Sequence, residues 1–271
     1  MLKDITIGQF IDTGSFLHKM DSRIKLILTV LYVVCLFMIE SFLSYLIFGL
    51  FTLFLIWVSK IPLKVIIKGL KPMIFILAFT VLINLFMIPG EKVVSLDVFG
   101  LFTLGVSREG IMSALFMAVR IVFLVIGTSL LTLTTTPIML TDGVEKLLKP
   151  FNKIKVPSHE IAMMMTIAIR FIPTLAEETD KIIKAQTARG ADFESGNILK
   201  RGKAMIPILV PLFVSAFRRA DDLAVAMDSR CYHGGENRTR MKELKITLKD
   251  VVAFLGVTVF FVAVIFLDRV W

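Results

Sequence analysis

The sequence predicts an all-α integral membrane protein with about five transmembrane helices and a cytoplasmic insert of long amphipathic helices. Of its 271 residues, 56% are hydrophobic and 23 are phenylalanine, and the mean hydropathy is +0.81. This composition is typical of a chain whose surroundings include lipid. Long uncharged runs recur along the chain. Lysine and arginine concentrate in alternate segments between these runs, as they do in membrane proteins of defined orientation.

The uncharged runs are assigned to spans by length, because a membrane helix needs about 20 apolar residues. Residues 26–59 carry one charge, Glu40, and are long enough for two spans that turn at Glu40 and Ser41. The third, fourth and fifth spans are residues 73–90, 110–136 and 251–267. Residues 204–217 are too short for a span and contain two prolines. We expect a buried or interfacial helix there, with a sixth span as the alternative.

The distribution of basic residues sets the predicted orientation. With the N-terminus inside, the outside segments hold only Lys92, Arg108 and Arg269. We therefore expect a multi-pass protein of the cell membrane with a cytoplasmic N-terminus and an external C-terminus. Three regions follow: residues 1–135 with four spans, residues 136–247 as a cytoplasmic region of amphipathic helices, and residues 248–271 as the final span. The N-terminal residues do not predict a cleavable signal peptide.

The cytoplasmic region is predicted to contain three helices. The first runs from Pro137 to about Pro150, the second starts at Pro157, and the third covers residues 203–230. In the second and third helices, apolar residues recur at helical spacing. Apolar stripes of this kind mark interaction sites where they are not packed within the chain. The residues expected to form this surface are Ile161, Met164, Met165, Ala168, Ile172, Phe213, Ala216 and Phe217.

A short phrase ends both long amphipathic helices. Residues 185–190 read Ala-Gln-Thr-Ala-Arg-Gly, and residues 226–231 read Ala-Met-Asp-Ser-Arg-Cys. Each arginine ends an apolar row of seven-residue period, which stays near one helix face. The helix dipole favours a cation at this end, and Gly190 suits a left-handed cap after Arg189. One such arginine would be an ordinary helix-terminal charge, but the matched pair of Arg189 and Arg230 predicts that partners bind both ends.

Several classes of function lack the residues they need. The sequence has no P-loop for ATP, no nucleophile–base–acid set and no zinc-protease motif. We therefore expect no catalytic residue, no cofactor and no metal site in this chain. The three histidines lie far apart, and Cys35 and Cys231 are expected to be free thiols. Topology and anionic lipid headgroups account for the net charge of +9, without nucleic acid.

Arg120 is a strong charge at predicted membrane depth. Such residues are candidates for function by default, and this one could line a path for a substrate or ion. The favoured interpretation is that Arg120 snorkels or pairs to hold helices together.

The two phrases belong to longer runs. These runs are residues 170–173 (Arg-Phe-Ile-Pro), 185–192, 207–213 (Pro-Ile-Leu-Val-Pro-Leu-Phe), 217–221 (Phe-Arg-Arg-Ala-Asp) and 226–230, with residues 7–9 and 15–23 near the start. Together they resemble the transmembrane T component (EcfT) of energy-coupling factor (ECF) transporters, which are ABC-type importers. The resemblance covers nearly the whole chain and is densest between residues 160 and 235.

In that family a small-Arg-small signature ends each of two cytoplasmic coupling helices, which dock on a pair of ABC-type ATPases. The signatures fall here on Ala188, Arg189 and Gly190 and on Ser229, Arg230 and Cys231. The second departs from the Ala-Arg-Gly pattern at both flanks, although serine and cysteine are still small. The resemblance implies that ATP and Mg²⁺ bind to those ATPases. It also implies that a separate substrate-binding S component, itself a membrane protein, packs on the coupling helices.

The resemblance thus implies a non-catalytic coupling subunit for uptake of a vitamin or a transition-metal ion. Two other classes stay open. A self-sufficient permease would transport its substrate alone, along a path lined by its own helices and Arg120. A membrane-embedded enzyme would need a convergent set of acid, base or metal ligands, which the sequence does not contain.

Overall fold

The computed structural model describes residues 10–88, 92–98, 102–150, 157–193, 195, 197–234 and 246–270. Across these residues the chain is almost entirely helical, which confirms the predicted class. The helices are α1 (Phe16–Lys19), α2 (Ser22–Met38), α3 (Phe42–Ser59), α4 (Leu63–Leu70), α5 (Ile74–Met87), α6 (Arg108–Thr134), α7 (Pro137–Leu148), α8 (Ser158–Ala188), α9 (Ile198–Asp228) and α10 (Leu248–Val270). A 3₁₀ turn, Lys71–Met73, joins α4 to α5.

One element was not expected from the sequence. Strands β1 (Lys92–Val98) and β2 (Phe102–Ser107) pair antiparallel between α5 and α6, with Ser95 opposite Gly105 and Val98 opposite Phe102. The pairing is irregular between Lys92 and Val94. This hairpin lies in the segment that the sequence places outside the membrane.

The chain divides into two compact units. Among the described residues, the membrane unit comprises residues 10–143 and 246–270, and the second unit comprises residues 144–234. The membrane unit contains α1 to α6, the hairpin and α10. The second unit contains α8 and α9, which carry the two arginine phrases.

Four helical segments in the described ranges are long and apolar enough to cross a membrane: Phe42–Ser59, Leu63–Met87, Arg108–Thr134 and Leu248–Val270. The second of these joins α4, the 3₁₀ turn and α5. The four segments correspond to the second to fifth predicted spans. The helix at the first predicted span, α2, has 17 residues, at the lower limit for a span. Residues 204–217 lie within α9, which is not among these four.

Aromatic and aliphatic side chains of α2, α3 and α10 form the main core of the membrane unit. Phe48 stacks on Phe261 with their ring centroids 6.0 Å apart, and Tyr32 and Leu36 are buried beside them. Helix α6 approaches α2 closely at Gly127, where glycine leaves room for the Tyr32 ring. A Cβ atom added to Gly127 would lie 2.3 Å from that ring. No larger residue fits at position 127 without moving that ring. A second core cluster joins α3, α4 and α6.

In the second unit, α8 and α9 are long helices with internal prolines. Pro173 lies within α8, and Pro207 and Pro211 lie within α9. A proline lacks the N–H that would bond the carbonyl four residues earlier, so each one weakens and bends its helix. Helix α9 begins at Ile198, earlier than the predicted start near residue 203.

Candidate functional site

The end of α8 has the geometry of a Schellman motif. Arg189 is the C-cap residue, and Gly190 has a φ of 86°, in the left-handed region. The Gly190 N–H donates to the Thr187 carbonyl at 2.9 Å, and the Ala191 N–H donates to the Gln186 carbonyl at 3.0 Å. These two bonds satisfy carbonyls that the helix end leaves free. The predicted left-handed conformation at Gly190 is confirmed.

The end of α9 repeats this geometry bond for bond. Cys231 takes the left-handed position, with a φ of 55°. Its N–H donates to the Asp228 carbonyl at 2.9 Å, and the Tyr232 N–H donates to the Met227 carbonyl at 3.1 Å. Arg230 therefore occupies the same structural position as Arg189. The likeness of the two phrases extends from sequence to backbone conformation.

Both arginine side chains are exposed at the negative end of a helix dipole. Neither guanidinium makes a hydrogen bond or ion pair with the part of the chain that the structure describes. The flanking Ala188, Gly190 and Ser229 are exposed as well, so another molecule could approach either helix end closely. A guanidinium presents planar donors suited to carboxylates and carbonyls, and these ends can therefore bind acceptor groups of a partner.

The predicted apolar surface lies largely open. On α8, Met164 is 59% exposed and Ile172 is 44% exposed; on α9, Phe217 is 68% exposed. Ile161, Met165, Ala168 and Phe213 are exposed too, whereas Ala216 is half-buried. The apolar surface on α9 is wider than predicted from the sequence. It also includes Met205, Ile206, Leu209, Val210 and Val214.

Among the described residues, polar side chains connect α8 to α9. Glu178 and Arg219 form an ion pair at 2.8 Å, and the Gln186 side-chain amide donates to the Pro207 carbonyl at 3.4 Å. The second contact has a specific cause. Pro211 has no N–H to donate to the Pro207 carbonyl, so this carbonyl lacks its intrahelical partner and accepts from Gln186 instead. Gln186 belongs to the phrase that ends in Arg189.

These contacts fix where the two arginines lie on the helix pair. Later residues of α8 meet earlier residues of α9, so the two helices are antiparallel. Arg189 follows Gln186 by less than one turn. Arg230 lies beyond Pro207 by about 35 Å of helix, at about 1.5 Å per residue. The arginines are therefore near opposite ends of the pair.

Arg120, in the membrane unit, binds the turn between α2 and α3. Its guanidinium donates to the Tyr45 hydroxyl at 2.8 Å and to the Ile39 carbonyl at 3.0 Å. On the same turn, the Asp268 carboxylate of α10 accepts from the Ser41 N–H at 2.8 Å. These contacts hold α6 and α10 to the turn, and the arginine lies at the level of the turn rather than at mid-depth of α2 and α3.

The described ranges contain no group of three or more His, Cys, Asp and Glu side chains that could hold a metal ion. His18 bonds the Ile11 carbonyl at 2.7 Å, and His159 pairs with Glu145 at 3.2 Å. The two cysteines are free, with Cys35 buried and Cys231 exposed.

Comparison with known proteins adds to this geometry. Residues 13–241 match the cobalt transport protein (CbiQ) family. The energy-coupling factor transporter transmembrane protein EcfT of Clostridium kluyveri is 56% identical over 271 residues, covering 100% of this chain and 99% of the relative. The EcfT protein of Thermosediminibacter oceani is 50% identical over 270 residues, and both chains are covered in full. That of Bacillus subtilis is 45% identical over 267 residues, with 98% and 99% covered.

The chain belongs to the EcfT family. The resemblance stated from the sequence is confirmed, and an EcfT-family chain is a membrane component of an ECF transporter. The matched range includes both arginine phrases and the whole apolar surface.

Sequence reasoning missed Gln186 and Arg219 as contacts between the EcfT helices. A signal for Gln186 was present, since two prolines four residues apart must leave the first proline's carbonyl unbonded. The donor that bonds this carbonyl depends on how α8 packs on α9, and the sequence pattern of one helix cannot identify it. The Glu178–Arg219 pair joins residues far apart in sequence and has no local signal.

Proposed function

We propose that this EcfT-family chain transmits the ATP-driven motion of two partner ATPases to a separate substrate-binding membrane protein. The chain itself is non-catalytic and binds no cofactor; ATP and Mg²⁺ bind to the ATPases. The cargo is a vitamin or a related micronutrient, including transition-metal ions, and is selected by the substrate-binding protein. The single observation that carries this proposal is the pair of matched helix ends, each with an exposed arginine after a compact cap.

Arg189 and Arg230 are the proposed anchors on the ATPases. The left-handed residue after each arginine turns the backbone away from the helix axis. The guanidinium can therefore extend beyond the end of its helix towards a partner. Carboxylates or backbone carbonyls of a partner would accept charge-assisted hydrogen bonds from it. Because the two arginines lie about 35 Å apart along the helix pair, each can bind a different ATPase.

Gln186 connects the first anchor to the second helix. It lies three residues before Arg189 and donates to α9 where two prolines weaken that helix. A displacement of Arg189 by an ATPase is thereby passed to the proline segment of α9. The Glu178–Arg219 ion pair supplies a second connection, so the two helices would move together.

The open apolar surface of α8 and α9 is the proposed contact for the substrate-binding membrane protein. An apolar area of this extent is costly to leave in water. The ATPases, as polar partners, are expected to bind the arginine-tipped helix ends rather than this apolar surface. We place the surface at the inner edge of the bilayer, with the N-terminus of the chain cytoplasmic and the C-terminus outside.

The experiment is to purify the tagged full-length chain, co-expressed with its ATPases, from mild detergent. Truncating an arginine at the centre of an interface costs about 2 kcal/mol or more, which is about a 30-fold loss of affinity. We expect the Arg189→Ala, Arg230→Ala double variant to lose the ATPases and uptake while its level in the membrane stays normal. Lysine at both positions should substitute poorly, because an ammonium cannot form bidentate bonds.

The matched control is Arg218→Ala, which removes an exposed arginine of α9 away from the helix end. It should retain both ATPases. If the double variant also keeps them and supports full uptake, the docking assignment is wrong. Transport by the purified chain alone in vesicles would instead favour the permease.

A further inference from the structure

An apolar cavity of about 420 Å³ lies within the membrane unit. Side chains of α1, α2, α3, α6 and α10 line it, including Phe16, Tyr32, Phe54 and Phe260. Gly256 of α10 lies in its wall, and a Cβ atom added there would meet nothing within 4 Å. None of the contacts described for the proposed function uses this space.

The polar residues in the cavity wall have no free donor to offer a ligand. The Lys25 ammonium donates to the Thr134 carbonyl at 3.0 Å, to the Thr135 hydroxyl at 3.2 Å and to the His18 carbonyl at 3.4 Å. The Tyr32 hydroxyl donates to the Phe123 carbonyl at 3.0 Å. The Thr134 hydroxyl donates within its own helix at 2.7 Å. A polar solute would therefore lose hydrogen bonds on entry, whereas hydrocarbon would lose none.

Basic residues lie at the end of the cavity where α1 stops and α10 starts. Lys19 ends α1 and directly follows His18, whose carbonyl contacts the Lys25 ammonium. Lys249 precedes Asp250, which interacts electrostatically with Lys25. Lys19 and Lys249 are exposed and form no ion pair among the described residues. Each of the two therefore adjoins a residue that interacts with Lys25, and their ammonium groups can attract anions.

We propose that this cavity binds one acyl chain of a bilayer phospholipid, with the lipid phosphate against Lys19 and Lys249. A phospholipid has both groups that this site would bind: a hydrocarbon chain for the apolar wall and an anionic phosphate for the basic rim. A transported vitamin would bring polar groups for which the wall has no partner.

The test is native mass spectrometry of the full-length protein after exchange into mixed micelles with equal phosphatidylglycerol and phosphatidylcholine. The wild type should retain one phospholipid and prefer phosphatidylglycerol severalfold. Gly256→Leu adds a side chain to the cavity wall, narrows the space for an acyl chain and should reduce retention about fivefold. The control Val259→Leu, on the same helix but 66% exposed and outside the cavity wall, should behave as the wild type. Equal retention by Gly256→Leu and the wild type would overturn the proposal.

A second pair of variants tests the headgroup. Lys19→Gln with Lys249→Gln should still retain a lipid but lose the preference for phosphatidylglycerol. Lys64→Gln with Lys68→Gln, which removes two exposed lysines of α4, should keep that preference. An unchanged preference in the first pair refutes the phosphate position.

Photolabelling of the wild type tests lipid binding in the cavity even if Gly256→Leu fails to fold. Phosphatidylglycerol with a mid-chain diazirine, supplied in vesicles, should label the cavity residues Leu28 and Val257. Labelling confined to outward residues such as Val259 and Val262 would show that lipid covers the protein but does not enter it.

Discussion

Gly190 and Cys231 hold equivalent left-handed positions, and the two residue types differ in how easily they adopt them. Glycine has no Cβ atom and enters this region freely. An L-residue places Cβ too near the following carbonyl, at a cost of about 1–2 kcal/mol. The end of α9 is therefore intrinsically less stable than the end of α8, although their hydrogen bonds match.

The same substitution at two glycines should have opposite effects. Gly190→Ala should destabilise the end of α8 by about 1 kcal/mol or more, since its φ of 86° strains any side chain. Gly202→Ala, within α9 and with open space around it, should stabilise its helix by up to about 1 kcal/mol. Cys231→Gly should stabilise its cap by a similar amount.

Hydrogen exchange measured by mass spectrometry on peptides across each helix end checks these changes. A gain of about 1 kcal/mol corresponds to about fivefold slower exchange of the capping amides. Faster exchange in Cys231→Gly would mean that the cysteine side chain stabilises the cap through contacts of its own.

For single residues, the sequence predicts a backbone conformation where the residue type favours it. Gly190 was assigned its left-handed conformation because glycine is the usual residue there. Cys231 could not be assigned in the same way, because cysteine has no preference for a positive φ. Its conformation follows from the hydrogen bonds that end α9, which only the folded helix shows.

Among the elements, α8 offers a sharp test of the apolar surface. Ala168 is exposed, so glutamate there leaves the isolated chain folded but puts an unpaired carboxylate into any apolar interface, at a cost of several kcal/mol. We expect Ala168→Glu to release the substrate-binding protein and abolish uptake while the ATPases stay bound. Ala216→Glu should act in the same direction, with some loss of stability because Ala216 is half-buried.

Co-purification and uptake assays measure both outcomes, and Lys181→Glu is the matched control. Lys181 is exposed on α8, and the helical periodicity places it opposite the stripe. If Ala168→Glu loses the ATPases but keeps the membrane partner, the two surfaces are assigned the wrong way round. Normal uptake would mean that the stripe is not a coupling surface.

Element boundaries were predicted well where an apolar pattern reached them and poorly elsewhere. Helix α9 starts about one turn earlier than expected because residues 198–203 contain three basic residues and a glycine, which carry no apolar period. Asn197, whose carbonyl accepts from the Arg201 N–H at 3.0 Å, was the available signal, since asparagine favours helix starts. The hairpin was missed because its strands lie in a segment treated only as a connection.

For the molecule as a whole, the sequence predicted the class from hydropathy and the family from its motifs. The division into units depends on which helices pack together, and long-range contacts such as that between Phe48 and Phe261 leave no local trace in the sequence. Length distinguishes α2 from the other spans. Its 17 residues cross a bilayer only near the lower limit, whereas Leu63–Met87 extends well before the predicted third span.

The proposed orientation can be tested with the native thiols. Cys231 is exposed and Cys35 is 1% exposed, so a membrane-impermeant maleimide should report on Cys231 alone. In cells that lack the ATPases, Cys231 should stay unlabelled when the cells are intact and react in inverted vesicles, because the basic residues place this region inside. Ser95→Cys, introduced with Cys231→Ser, should react in intact cells. Labelling of Cys231 from outside would refute the five-span orientation and, with it, docking of cytoplasmic ATPases at Arg230.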